Sequence, residues 1–123
     1  MTESVSAESL GLAWLDGIDV AITVCDRSGV CLYLNEQAAR QFERDGGRAL
    51  LGRNLLDCHP EPARSIFLTE LARPASNTYT IEKWGVKKLI RQLPWYRDGD
   101  FAGVVELSFE LPGDVPHFVR DVD

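Results

Sequence analysis

The 123-residue sequence has little of what marks many functional classes. It holds three cysteines, an odd and low count that builds no disulfide framework and fits reduced thiols. Of its two histidines, neither His59 nor His117 has metal-ligand spacing to another His, Cys or carboxylate, so no metal site is expected. No apolar run approaches the ~18 residues that cross a bilayer, so no membrane partner is expected. Met1-Thr2-Glu3-Ser4 offers no positive stretch ahead of an apolar run, so the expected location is cytoplasmic. Lys and Arg number 13 against 19 Asp and Glu, a net charge of −6. The longest basic pairing is Lys87-Lys88, whereas phosphate neutralisation needs a basic face, so no nucleic-acid partner is expected.

A 45% hydrophobic content is that of one globular domain. Residues 6 to 16 read as a helix capped by Ser6, with Leu10 and Trp14 on one face, ended by Gly17. Residues 21–25 and 30–34 read as strands around the turn Asp26-Arg27-Ser28-Gly29. Asn35 can cap a helix reaching Phe42 or Glu43. A compact connector spans 48–61, and a second helix runs from about Pro62 to Arg73. Strands over 78–84, 86–97 and 101–111 close the chain, the last two joined by Asp98-Gly99. The expected class is α+β, a five-stranded antiparallel sheet with helices on one face and an N-terminal helix. The expected organisation is a cap helix over 1–17, a domain over 18–111 and a tail over 112–123.

A regular two-residue turn at Asp98-Gly99 pairs Leu93 with Val104 and Arg91 with Glu106 on one face, and Gln92 with Val105 and Pro94 with Gly103 on the other. The second face is the better core side. Gln92 then lies buried beside Val105 and close to Gly103, where an amide needs a partner: a side chain, a water or a ligand's polar group. In this register Leu89, Leu93 and Trp95 face outward, and with Leu10, Trp14 and Leu32 they are candidates for a dimer interface. Phe42, Phe67 and Leu71 stand at helical spacing, the pattern of a core or of a pocket wall. A regular first hairpin sends Cys25 and Cys31 to opposite faces, so they are expected to be structural and unable to bridge. Cys58 and His59 are adjacent, which works against a catalytic dyad. They read first as a packed thiol and a locally bonded imidazole, and second as ligand or redox sensors.

Asp26-Arg-Ser-Gly29 with Val30-Cys-Leu-Tyr-Leu-Asn35, the connector Leu51-Gly52-Arg53-Asn54 and the closing Asp98-Gly99-Asp100-Phe101-Ala102-Gly103-Val104-Val105-Glu106 resemble, in order and spacing, a PAS domain over about residues 15 to 111. Cys58-His59-Pro60 is similar to a Cys-His-Pro signature in a subset of bacterial PAS domains. The resemblance implies a sheet curved around a small pocket, and a sensory or relay role, often as a dimer. In flavin light sensors of this fold the connector continues with a nucleophilic cysteine. Leu55 stands there, which excludes the flavin photo-adduct. In haem sensors a histidine on the long helix binds iron; Phe67 stands at that position, so haem is a minority reading through His59.

The expected function is therefore a non-catalytic sensory or signalling module of bacterial signal transduction. Its pocket candidates are Phe42, Cys58, His59, Phe67, Leu71, Gln92, Gly103 and Val105. It is expected to bind a small molecule in its pocket, to mediate protein–protein interaction as a homodimer, or both, and to pass its output to a separate signalling effector. The alternative is a purely structural dimerisation domain with a pocket filled by its own side chains. An enzyme stands third, because the motifs assemble no base, nucleophile and orienting group.

Overall fold

The computed structural model describes residues 11–121. Helix α1, Ala13–Asp16, ends at Gly17, whose N–H donates to the Trp14 carbonyl at 3.1 Å. The helix expected over 6 to 16 is thus described only in its last turn, and Leu10 lies outside the described residues. The first hairpin pairs β1, Ala21–Asp26, with β2, Cys31–Leu34. Asp26 builds its turn: Oδ1 accepts from the N–H of Ser28 at 2.9 Å and of Val30 at 3.0 Å, while Gly29 adopts φ +90°.

Asn35 caps α2, Glu36–Gln41, and does more than cap. Its side chain is wholly buried, with Oδ1 accepting from Ala38 N and Ile22 N, both at 3.0 Å, and Nδ2 donating to the Leu15 and Val20 carbonyls, both at 2.7 Å. Two accepted and two donated bonds use the full capacity of a carboxamide. One side chain thereby ties the end of α1, β1 and α2 together. Single 3-10 turns at Glu43–Asp45, Gly47–Leu50 and Leu55–Cys58 form the connector, followed by α3, Ala63–Ala72. Asn54 pins the connector to the hairpin by donating to the Ser28 carbonyl at 2.9 Å.

Strands β3, Asn77–Lys83, β4, Val86–Arg97, and β5, Asp100–Glu110, complete one antiparallel sheet of order β2-β1-β5-β4-β3. Asp98 and Gly99 both take positive φ, 50° and 85°, as a type I′ turn requires. The core lies between the inner face of the sheet and the helices, and includes Ala21, Cys25, Cys31, Leu34, Ala38, Leu50, Leu55, Phe67, Leu71 and Val104. This is the expected α+β, five-stranded architecture. Among the described residues no helix is long and apolar enough to cross a membrane.

Two expectations of register are corrected. The β4–β5 ladder begins as expected, Arg97 opposite Asp100 and Tyr96 opposite Phe101, but then pairs Trp95 with Gly103, leaving Ala102 as a bulge. Every later pair slips by one: Leu93 faces Val105, Gln92 faces Glu106 and Ile90 faces Ser108. The cause is Gly103, buried at φ +154°, whose missing Cβ leaves room for the Cys25 carbonyl of the neighbouring strand. Trp95 then reaches past β5 and donates its indole N–H to that same carbonyl at 2.9 Å. In β1–β2, the pairs Val24–Tyr33 and Cys25–Cys31 leave Leu32 as the extra residue. Cys25 and Cys31 are therefore cross-strand partners in one core, not residues on opposite faces. Both are free thiols.

Candidate functional site

The slipped register decides what faces the core. From β1 come Thr23 and Cys25, from β4 Gln92, and from β5 Val104 and Glu106. Opposite them stand Phe42, Leu50, Leu55, Cys58, His59 and Phe67. Together they enclose a cavity of about 30 Å³ open to the centres of water molecules, room for about two waters. Its walls are almost wholly apolar at one end. At the other they carry a carboxylate.

Glu106 is that carboxylate. Gln92 Nε2 donates to its Oε2 at 3.3 Å, and Gln92 Oε1 accepts from Asn77 Nδ2 at 3.2 Å, so an amide relay runs from β3 to the cavity. Burial pushes the Glu106 carboxyl above its ordinary range, against the Gln92 hydrogen bond and the nearby His59, which both lower it. A second acid stands close behind. Glu70, one turn after Phe67 on α3, is only 3% exposed, and neither carboxylate oxygen has a hydrogen-bond partner. Burial first, and the Glu106 charge second, raise Glu70 to about 7. Tyr79 is raised by its burial and by both acids. Among the described residues neither the buried Glu70 nor the half-buried Glu106 has a Lys, Arg or His nitrogen within 4.0 Å.

His59 sits over Phe67, ring centroids 4.7 Å apart, and its Nδ1 lies within hydrogen-bond distance of the Leu55 carbonyl. A carbonyl only accepts, so Nδ1 carries the proton and Nε2 is the acceptor of the neutral ring. Cys58 also donates to the Leu55 carbonyl, at 3.2 Å, with its sulfur 3.8 Å from His59 Nδ1. Thiol and imidazole thus share one acceptor instead of forming a nucleophile–base pair, and burial pushes the Cys58 thiol up, away from thiolate. Among the described residues no three His, Cys, Asp or Glu side chains are placed to hold a metal.

The structure brings Phe42, Cys58, His59, Phe67 and Gln92 to one cavity. Leu71 is buried in the core but lies outside that lining. Gly103 and Val105 are corrections: the bulge puts Val105 opposite Leu93 on the outer face and makes Gly103 a backbone crossing point instead of a wall. Glu106, placed on the outer face by a regular hairpin, is the residue that moves in. Glu70 is absent from the sequence candidates, and the signal that would have found it is its position between Phe67 and Leu71, on the buried arc of the helix. On the outer face Leu89, Leu93 and Trp95 are half-buried; elsewhere Leu32, the extra residue of β2, and Trp14 on α1 are 48% and 47% exposed.

A single antiparallel sheet of order 2-1-5-4-3, with helices enclosing a cavity against its inner face, defines an α+β domain. The chain belongs to the PAS-fold family, whose family model matches residues 15–111. No curated protein sequence matches it. Among solved structures it is similar to a C-terminal domain from Streptococcus mutans, with 22% identity, a TM-score of 0.63 and coverage of 86% of this chain and 85% of that one. It is similar to the PAS domain of Bordetella pertussis BvgS, with 19% identity, a TM-score of 0.62 and coverage of 81% and 82%. It is also similar to the photoactive yellow protein domain of the sensor histidine kinase Ppr from Rhodospirillum centenum, with 20% identity, a TM-score of 0.60 and coverage of 82% and 94%. At these identities the likeness is one of fold.

Proposed function

We propose that this chain is a non-catalytic sensory module of a signalling protein, which binds a small molecule in its internal cavity, pairs with a second copy, and hands its state to a separate effector. The observation that carries this reading is the cavity itself. Apolar walls from Phe42, Leu50, Leu55, Phe67 and Val104 end on one convergent polar group, Glu106 held by Gln92, which is the make-up of a ligand pocket. The Cys58–His59 geometry supports the absence of catalysis, since burial pushes the thiol away from thiolate and both groups bond to the Leu55 carbonyl instead of to each other.

The volume favours one specific second reading. At about 30 Å³ the cavity holds water as it stands, which suits a structural dimerisation domain whose pocket is filled by its own side chains. A haem does not fit this space, and Phe67 packs on the one histidine that lines it. Native mass spectrometry of protein purified from its own host separates the two readings. A bound small-molecule mass, lost on denaturation, supports the sensory role, and a bare chain mass overturns it in favour of the structural one.

A further inference from the structure

The cavity shares two walls with a second hollow. His59 and Gln92 line both it and a groove of about 350 Å³ between α3 and β3, whose walls are Pro62, Ala63, Ile66, Asn77 and Tyr79. We propose that cavity and groove together take a small primary amine, its ammonium group seated at Glu106 and its hydrocarbon stem lying along Ile66 and Tyr79. This deepens the sensory reading and rests on it.

Four observations select this chemistry. Glu106 faces the cavity with a single hydrogen bond from Gln92, which leaves most of its acceptor capacity unused, and the unpartnered Glu70 is buried nearby without lining cavity or groove. Among the described residues the only ion pair is Arg40 with Glu36, so no Lys, Arg or His nitrogen lies within 4.0 Å of either acid. Of the nearby donors, Gln92 Nε2 is engaged to Glu106 and the Cys58 thiol and His59 Nδ1 to the Leu55 carbonyl, while Thr23, opposite Glu106 on β1, and the unpartnered Ser108 are hydroxyls that bring no positive charge. An ammonium has three donors and no acceptor, the complement of such a site, and it is about the size of a water. A carboxylate or phosphate ligand would meet two like charges, and a quaternary or guanidinium head exceeds the space for about two waters. The groove walls suit a short alkyl stem. Docked in this way, the ammonium would pair with a carboxylate whose charged form burial disfavours.

The test uses the full chain at pH 8 with n-butylamine as probe, n-butanol and butyrate as controls, read by 15N–1H amide shifts and by thermal unfolding. Saturable shifts at Gln92, Val104 and Glu106 with a raised Tm are expected for butylamine, and neither for butanol nor butyrate. Glu106→Gln, isosteric and able to hydrogen-bond, is expected to weaken butylamine at least tenfold with the circular dichroism spectrum kept, and Glu70→Gln to weaken it less. Should Glu106→Gln fail to fold, the three-ligand comparison on the unaltered chain decides alone. Absence of butylamine shifts, equal binding of butyrate or butanol, or an unaltered affinity in a folded Glu106→Gln chain overturns the proposal. If host-purified protein carries a ligand that is not an amine, the amine inference fails and the sensory reading stands. If it carries none and butylamine does not bind, both fail.

Discussion

Gln92 and Glu106 face each other across β4 and β5, with Gln92 Nε2 3.3 Å from Glu106 Oε2. A regular hairpin closed at Asp98-Gly99 would instead set Arg91 opposite Glu106 on the outer face, as an ordinary cross-strand ion pair. The Ala102 bulge replaces that pair with a buried amide–carboxylate contact. A small gain in surface electrostatics is exchanged for a polar group inside the cavity, the usual direction of exchange at a functional site.

The bulge depends on one glycine. Gly103→Ala would drive a Cβ into the Cys25 carbonyl at a φ of +154° that alanine resists. A loss of roughly 3 kcal/mol or more in urea unfolding is expected, with the Gln92 and Glu106 amides displaced in the remaining folded fraction. A near-neutral Gly103→Ala would mean that the strand reaches the same register without the close approach.

Asn35→Ala removes a side chain that makes four hydrogen bonds in full burial. It leaves Ile22 N, Ala38 N and two carbonyls without their partner, so a destabilisation of about 3–5 kcal/mol is expected in chemical denaturation. Asn35→Asp keeps the cap to Ala38 but faces its charge to the Leu15 and Val20 carbonyls, and is expected to lose as much or more.

Glu70 makes stability fall as pH rises. Its folded value of about 7 lies above the ordinary 4.5, so between those values the folded chain holds a proton that the unfolded chain has released. Stability is therefore greatest below pH 4.5 as far as this group is concerned, declines through the window and is flat above about 7. Glu106, also raised, acts in the same direction. Urea melts at pH 5 and pH 8 are expected to differ by roughly 2 kcal/mol on this account, and Glu70→Gln to make the difference clearly smaller. An unchanged slope in Glu70→Gln would assign the effect elsewhere.

The outer face of the sheet is expected to pair two copies. Leu89 and Leu93 lie there half-buried, and Leu32 and Trp14 are further apolar side chains about half-exposed. Burial of such a patch gains on the order of 25 cal/mol per Å², offset by the free energy of association. Sedimentation velocity at micromolar concentration is expected to show a dimer, and Trp14→Glu or Leu93→Glu to shift it toward monomer. A clean monomer, or a dimer indifferent to both substitutions, refutes the claim.

Where a structural decision rested on neighbours along the chain, the sequence was enough. The Asp26–Gly29 turn, the Asn35 cap, the long helix and the Asp98-Gly99 hairpin are each encoded within about five residues, through side-chain capping, helical period and positive-φ positions. Those elements in that order already determined an α+β antiparallel sheet, and Phe42, Phe67 and Gln92 were legible as inward-facing. What the tertiary structure alone decided is the polar end of the cavity. Whether Glu106 points in or out turns on a single extra residue at Ala102, because strand side chains alternate and a slip by one reverses every face beyond it. That slip is set by the Cys25 carbonyl approaching Gly103 from a strand nearly eighty residues earlier, a contact no local pattern announces. The same long-range packing placed Cys31 beside Cys25 and left Glu70 without a partner. Local chemistry writes turns and periods into the chain. Register across a bulge is written only when distant backbones meet.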